Sequence, residues 1–222
     1  MFEGLDGSGK SSLMKCLEKE LTAQGHRVQM TREPGGTPLS EEIRELILRC
    51  RPTGEAPSAR AELLLYQAAR HQHVARVIKP ALAQGVWVLC DRFTASSLAF
   101  QGQGRDLSWE SVEWLNAFAT EDLIPELQIL IDVPLEVAQL RMQKRSTDGA
   151  SPSQTEKDRI ESESSEFHNR VRQGFLRQAK TNAAGWLVLN GEQSLQELTA
   201  LLKTEFAKRN WLTPAPPAKK DS

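Results

Sequence analysis

Gly4-Leu5-Asp6-Gly7-Ser8-Gly9-Lys10-Ser11 is the stretch of this chain whose spacing most directly implies a chemistry. It fits G-x-x-x-x-G-K-[ST] at every fixed position, the pattern of a loop that cradles phosphate. Glycines let successive backbone N–H groups turn onto an anion, and the following helix adds its positive N-terminal end. Lys10 would reach the β- and γ-phosphates, and the Ser11 hydroxyl would hold Mg²⁺. Asp6 is surplus to that task. A carboxylate beside a polyphosphate is repulsive, so Asp6 implies a second ligand.

Other candidates cluster where strands should end. Asp91-Arg92 follows the most apolar run; an acid there would hold Mg²⁺ or orient its waters, and Arg92 could grip a phosphate bidentately. Arg32-Glu33-Pro34-Gly35-Gly36-Thr37-Pro38 is a sharp loop that presents charge at the same sheet edge. Tyr66 and Arg70, four apart, share a helix face and could stack a base and bind its phosphate, although spacing alone reads as core Tyr plus surface Arg. Ser96 to Arg105 is polar, glycine-rich and aromatic; by itself it reads as a loop. Asp132 and Asn190 also end strands, and there a turn or cap role is the better reading.

Apolar runs alternating with helical stretches imply α/β architecture with a parallel sheet wrapped by helices. Helices are expected over Ser11 to Gln24, from a cap at Ser40, over Ala59 to Gln84 with Pro80 bending it, over Leu135 to Arg145, and over Arg159 to Lys180. Strands are expected at Arg27 to Thr31, Val86 to Cys90, Leu127 to Ile131 and Trp186 to Leu189. Residues 1–212 form one expected domain. The polar stretch Ser146 to Lys157 reads equally as a solvated loop or as a lid closing over phosphate, flanked by Arg141, Lys144, Arg145, Lys157 and Arg159. Residues 213–222 read as a disordered tail.

A net charge of −1 over 222 residues supplies no basic field for nucleic acid. No apolar run reaches bilayer length and no signal peptide precedes the loop, so a cytoplasmic protein is expected. The three cysteines, Cys16, Cys50 and Cys90, make no C-x-x-C pair; they read as buried reduced thiols.

Together, Glu3 to Ser11, Arg32 to Pro38, Asp91-Arg92-Phe93, Ala99-Phe100-Gln101-Gly102, Leu130 to Glu136 and Asp158-Arg159-Ile160-Glu161 make the chain resemble the thymidylate kinases, specifically the bacterial form, from Phe2 to about Phe206. The resemblance implies a P-loop nucleoside monophosphate kinase with a five-stranded parallel sheet, a mobile lid at about 142–160, a homodimer, and transfer of phosphate from ATP to dTMP on the way to dTTP. It implies that Gly4, Leu5, Asp6, Gly7, Ser8, Gly9, Lys10, Ser11 and Ser12 bind ATP, with Arg141 near the adenine and Mg²⁺ on Ser11 and Asp91. For dTMP it implies Asp6 at the sugar 3′-hydroxyl or the metal, Glu33 and Pro34 shaping the pocket, and Tyr66 stacked on thymine. It further implies Arg70 at the thymine carbonyl, Ser97 and Gln101 near base and sugar, Phe100 crowding the sugar, and Arg92 bridging both phosphates. The loop offers no arginine at Leu5, Gly7 or Ser8, so Arg159 in the lid would be the charge-stabilising arginine. Catalysis would then fall to Lys10, Arg92, Arg159 and Asp6.

A kinase for another monophosphate remains open, as does a nucleotide binder without catalysis. A GTP-dependent switch would carry N-K-x-D, and this sequence has none. Only Met1, Phe2 and Glu3 precede Gly4, fewer than the family's lead-in strand; the expectation is an upstream start or a clipped central strand.

Overall fold

A computed structural model describes residues 1–147 and 158–212, with the side chains of 145–147 left aside. The expected tail at 213–222 and most of the Ser146 to Lys157 stretch lie outside the described residues. The five strands are β1 (Phe2–Glu3), β2 (Val28–Arg32), β3 (Trp87–Asp91), β4 (Gln128–Asp132) and β5 (Trp186–Asn190). All pair in parallel, in the order β2-β3-β1-β4-β5. The fold is the expected α/β one. Strands covered on both faces need near-continuous apolar sequence, as Gln128-Ile-Leu-Ile and Trp87-Val-Leu-Cys supply.

Helices cover both faces. On one, α1 (Lys10–Ala23) buries Leu13, Leu17 and Leu21 against Ile129, Ile131 and the Leu198, Leu202 and Phe206 stripe of α9 (Leu195–Lys208). On the other, α8 (Ser165–Thr181) buries Phe167, Val171 and Phe175 with Leu130. Residues 129 to 131 alternate between the two cores because successive strand side chains point to opposite faces.

Several boundaries differ from expectation. Thr37, not Ser40, caps α2 (Pro38–Leu48), its Oγ1 accepting from the Ser40 amide, while Ser40 Oγ donates to the Ala69 carbonyl. The long helical stretch divides into α3 (Ala59–His73), a π-helical turn (Val74–Ile78) and α4 (Lys79–Ala83). Pro80 sits in the first turn of α4, where its missing N–H costs nothing, and the wider turn before it absorbs the break.

Ser96 to Arg105 is not a loop. It comprises the end of α5 (Thr94–Ser97) and a π-helical segment, Leu98–Gly104, packed on α8. Gly174 makes that approach possible: a Cβ there would lie 3.0 Å from Ala99 Cα. Helix α6 (Trp109–Thr120) follows. Helix α7 runs Leu135–Thr147, two residues past the expected end, and α8 begins only at Ser165, capped by Ser164. Cys90 is buried and Cys16 half-buried, but Cys50 is exposed just after α2, so not all three thiols are buried.

Candidate active site

In this strand order β1 lies between β3 and β4, and the connections leaving the neighbours β1 and β3 run to opposite sides of the sheet, β1 toward β2 and β3 toward β4. Ligands of open α/β sheets gather at the carboxyl ends of such strands. The glycine-rich loop leaves β1 there, and Asp91-Arg92 leaves β3 beside it.

The loop's conformation requires its glycines. Gly4 and Gly7 hold φ of 133° and 83°, and a Cβ on them would lie 2.6 Å from the Ile131 carbonyl and 2.4 Å from the Ala138 carbonyl. Lys10 folds back over the loop, its Nζ donating to the carbonyls of Gly4 (3.2 Å) and Leu5 (3.0 Å). The same ammonium stands 3.9 Å from Asp6 and 4.0 Å from Asp91. Burial and the nearby Arg92 lower its pKa, against the carboxylates of Asp91, Asp6 and Glu3.

Arg92 occupies the left-handed region, φ 74°, at a residue with a full side chain. That costs of order 1–3 kcal/mol and persists only where surroundings dictate it. Here they do. Its amide donates to the Phe2 carbonyl, and the next amide, Phe93, donates to the wholly buried Glu3 carboxylate. Its guanidinium then donates to Asp6 Oδ1 (2.7 Å) and the Gly4 carbonyl (3.0 Å), and lies over the Phe100 ring. Burial would raise the Asp6 carboxyl, but Arg92 and Lys10 hold it far below the usual carboxylate range. The carboxylate surplus to phosphate binding thus has a cationic partner, although its side chain is 36% exposed.

Ser11 Oγ donates to Asp91 Oδ2 at 3.2 Å, so the two expected metal-side groups meet. Asp91 Oδ1 is buried with no hydrogen-bond partner among the described residues. An orphaned carboxylate oxygen beside a hydroxyl and a phosphate loop fits a hard divalent cation. No cluster of three metal-ligating His, Cys, Asp or Glu side chains occurs among the described residues. On the far side of the loop, Gly7, Ser8, Gly9, Ser12 and Arg141 line a groove with Lys144, Gly191 and Gln193. Arg141 bridges its walls, donating to the Ser8 (3.3 Å) and Gly191 (2.8 Å) carbonyls.

A second cavity opens on the other side of Arg92. Asp6, Glu33, Pro34, Tyr66, Arg70, Arg92, Ser97, Phe100 and Gln101 all line it. Arg70, 2% exposed, is the reverse of a surface residue. Its Nε donates to Glu33 Oε2 (2.7 Å), Nη1 to Ser97 Oγ and Asn116 Oδ1 (each 2.8 Å) and Nη2 to the Phe93 carbonyl (2.8 Å). Glu33's other oxygen meets His73 Nδ1 at 2.9 Å. Asp132 and Asn190 keep to structure: Asp132 takes Arg172 through two bonds, and Asn190 closes a turn onto the Glu192 amide.

A groove along the phosphate loop and a polar cavity flank one arginine, an arrangement that fits a nucleotide kinase, and comparison with known proteins specifies which kind. The family model described as thymidylate kinase matches residues 2–202.

The chain belongs to the thymidylate kinase family.

It is 51% identical over 212 residues to the thymidylate kinase of Bdellovibrio bacteriovorus, covering 96% of each chain. It is 44% identical over 208 residues to that of Geotalea daltonii, covering 94% of this chain and 95% of the other. It is 45% identical over 203 residues to that of Pseudomonas savastanoi pv. phaseolicola, covering 91% of each. Thymidylate kinases are ATP-dependent nucleoside monophosphate kinases that phosphorylate dTMP. No helix among the described residues is long and apolar enough to cross a membrane.

Arg159 does not join Lys10 and Arg92. Its guanidinium donates to the buried Glu62 and to the Ile47 carbonyl (2.9 Å) instead. Further residues line or support this cavity, and of them Arg44, Gln67 and Asn116 carried no signal in the sequence. Arg44, on α2, lines the second cavity and donates to the Pro34 carbonyl, and Asp158 and Ile160 line it as well. Asn116 and Gln67 complete the shell of Arg70. Their spacing fits ordinary helical surface equally well.

Proposed function

We propose that this chain transfers the γ-phosphoryl group of ATP to the 5′-phosphate of dTMP, giving ADP and dTDP. One observation carries the reading: Arg92 is bonded to the phosphate loop through Gly4 and Asp6 while its guanidinium also lines the acceptor cavity. A cation so placed can meet the donor and acceptor phosphates at once.

ATP would lie along the loop, its phosphates at the N-terminus of α1 and Lys10, its adenine toward Arg141, Gly191 and Gln193. Ser11 and Asp91 would hold Mg²⁺, which when bound neutralises phosphate charge. Lys10 and Arg92 would balance negative charge on the transferring group. They sit in a partly buried site, where such charge is worth more than in water. Each is already oriented by fixed partners, so little reorganisation remains. The acceptor oxygen is anionic, so no strong general base is needed.

In the acceptor cavity, Tyr66 and Phe100 supply apolar faces for base and sugar. Burial, then Glu62, raise the Tyr66 phenol, which keeps the ring neutral. Arg70 retains one Nη2 hydrogen beyond the bond to Phe93, available to a base carbonyl. Ser97 and Gln101 add polar edges, and Arg44 adds a third cation, near Pro34. Among the described residues Arg159 is placed against Glu62, away from this charge cluster. A homodimer is part of the reading; supporting it, α6 exposes Trp114 (64%) and Phe118 (71%) as a stacked pair.

The test is ADP release coupled to NADH oxidation, with Mg-ATP and dTMP. Release that depends on dTMP is expected; release indifferent to dTMP would overturn the reading.

A further inference from the structure

Helix α3 carries Glu62, Tyr66 and Arg70 at intervals of four, a stripe along one face. Tyr66 and Arg70 line the acceptor cavity; Glu62 does not, and is wholly buried behind it. An unpaired carboxylate there would be very costly. Its partners are drawn from two further segments. Gln101 Nε2 donates to Oε1 at 2.8 Å. Arg105, at the end of the π-helical segment, donates to both oxygens at 3.3 and 3.1 Å. Arg159, from the turn before α8, donates to Oε2.

Those segments form two walls of the cavity. Gln101 is one wall; Asp158, Ile160 and Glu161, flanking Arg159, are the other. Beyond Glu62, the second wall is held by Arg159 Nε on the Ile47 carbonyl (2.9 Å) and by Ile160, buried in the core beside Phe167. The Arg159 amide donates to the Leu48 carbonyl (3.0 Å), and the Ile160 and Glu161 amides donate back to Asp158 within the turn. Two guanidiniums on one carboxylate would leave excess positive charge, and Glu163 balances it, 2.6 Å from Arg105 Nη1.

We propose that Glu62 is the positioning residue of the acceptor site, fixing the Gln101 wall and the Asp158–Glu161 wall through one carboxylate, and that Arg159 is the anchor of the second wall and not a charge on the transferring phosphoryl group. The proposal rests on the dTMP kinase reading for its kinetic consequence, but its structural content does not depend on any substrate. Glu62 touches neither nucleotide; it acts by setting where Gln101 and Ile160 stand. Misplacement of a binding group by about 1 Å is enough to cost 10²-fold.

The test compares Glu62→Gln, Arg159→Met, the double variant and Glu163→Gln with the full-length protein. Glu62→Gln and Arg159→Met should each raise the dTMP KM about 10–100-fold. Turnover at saturating dTMP and the ATP KM should stay within about threefold, an effect confined to the acceptor walls. The double variant should resemble the worse single one, since both changes break the same contact. Glu163→Gln, at a partly exposed site, should shift the dTMP KM in the same direction by less. Should Glu62→Gln fold poorly by circular dichroism, Arg159→Met and Glu163→Gln carry the test. Hydrogen exchange without substrate gives the independent readout: the Arg159 amide should exchange faster in Arg159→Met and Glu62→Gln. Unchanged protection, additive effects in the double variant, or a turnover loss of 10²-fold in Arg159→Met with unchanged dTMP KM would each overturn the proposal. Wild-type protein without dTMP-dependent ADP release would instead count against the kinase reading, leaving the exchange result to judge Glu62.

Discussion

Removing the Arg70 guanidinium should damage stability more than any other single change at the acceptor site. In Arg70→Met the side chain keeps much of its volume and loses its charge. Glu33, 4% exposed, then keeps only His73 as a side-chain partner among the described residues, and Ser97, Asn116 and the Phe93 carbonyl each lose a donor. Breaking a buried ion pair from one side costs about 3–5 kcal/mol, because the surviving charge cannot return to water. With a urea m-value near 3 kcal/mol/M for a chain of this size, the unfolding midpoint should fall by about 1–2 M. The cost belongs to the stranded carboxylate, so Glu33→Gln placed on top of Arg70→Met should recover part of it. Urea titrations of the wild type, both single variants and the double variant, followed by far-UV circular dichroism, measure this directly. A loss under about 1 kcal/mol, or a double variant no more stable than Arg70→Met, would refute the buried-pair reasoning.

Arg92→Met should lower kcat by about 10²–10³, the usual effect of deleting a preorganised charge donor, as read by coupled ADP release at saturating substrates; a change below tenfold would count against the bridging role. His168 is held below its ordinary pKa by burial, against Asp6 and Glu163, so it stays neutral in the fold while the unfolded chain takes up a proton near pH 6.5. The unfolded state then binds more protons, and stability should decline as pH falls below about 6.5; chemical denaturation from pH 7.5 to 5 should show a shallower decline in His168→Gln than in wild type. Replacing Trp114 and Phe118 with Asp should shift the sedimentation coefficient from dimer to monomer while the far-UV circular dichroism spectrum stays native, since both rings are mostly exposed in the single chain.

Much of the fold was legible because its requirements are local. A phosphate loop needs positive φ and close backbone approach at fixed places, so Gly4 and Gly7 announce it. Parallel strands buried on both faces need short apolar runs, so β3, β4 and β5 were found within one or two residues. What stayed hidden depends on partners distant in sequence. Arg70 reads as a surface residue until Glu33, Ser97 and Asn116 converge on it. Glu62 goes unremarked in the sequence, because Arg105 and Arg159 reach it from chain positions far away. Ser96 to Arg105 has loop composition, yet packing against α8 winds it into helix and makes its glycines points of close contact. Pattern reports what a residue prefers alone, and these residues answer to tertiary partners.

The roles proposed for Tyr66, Arg70 and Ser97 converge on the thymine base. The most direct test is therefore kcat/KM for dTMP, dUMP, dCMP and dGMP under identical Mg-ATP conditions, with products confirmed by ³¹P NMR. The account predicts that dTMP gives the highest value and that dTDP and ADP form in equal amounts. A higher kcat/KM for dCMP or dGMP, or ATP consumption without dTDP, would contradict it.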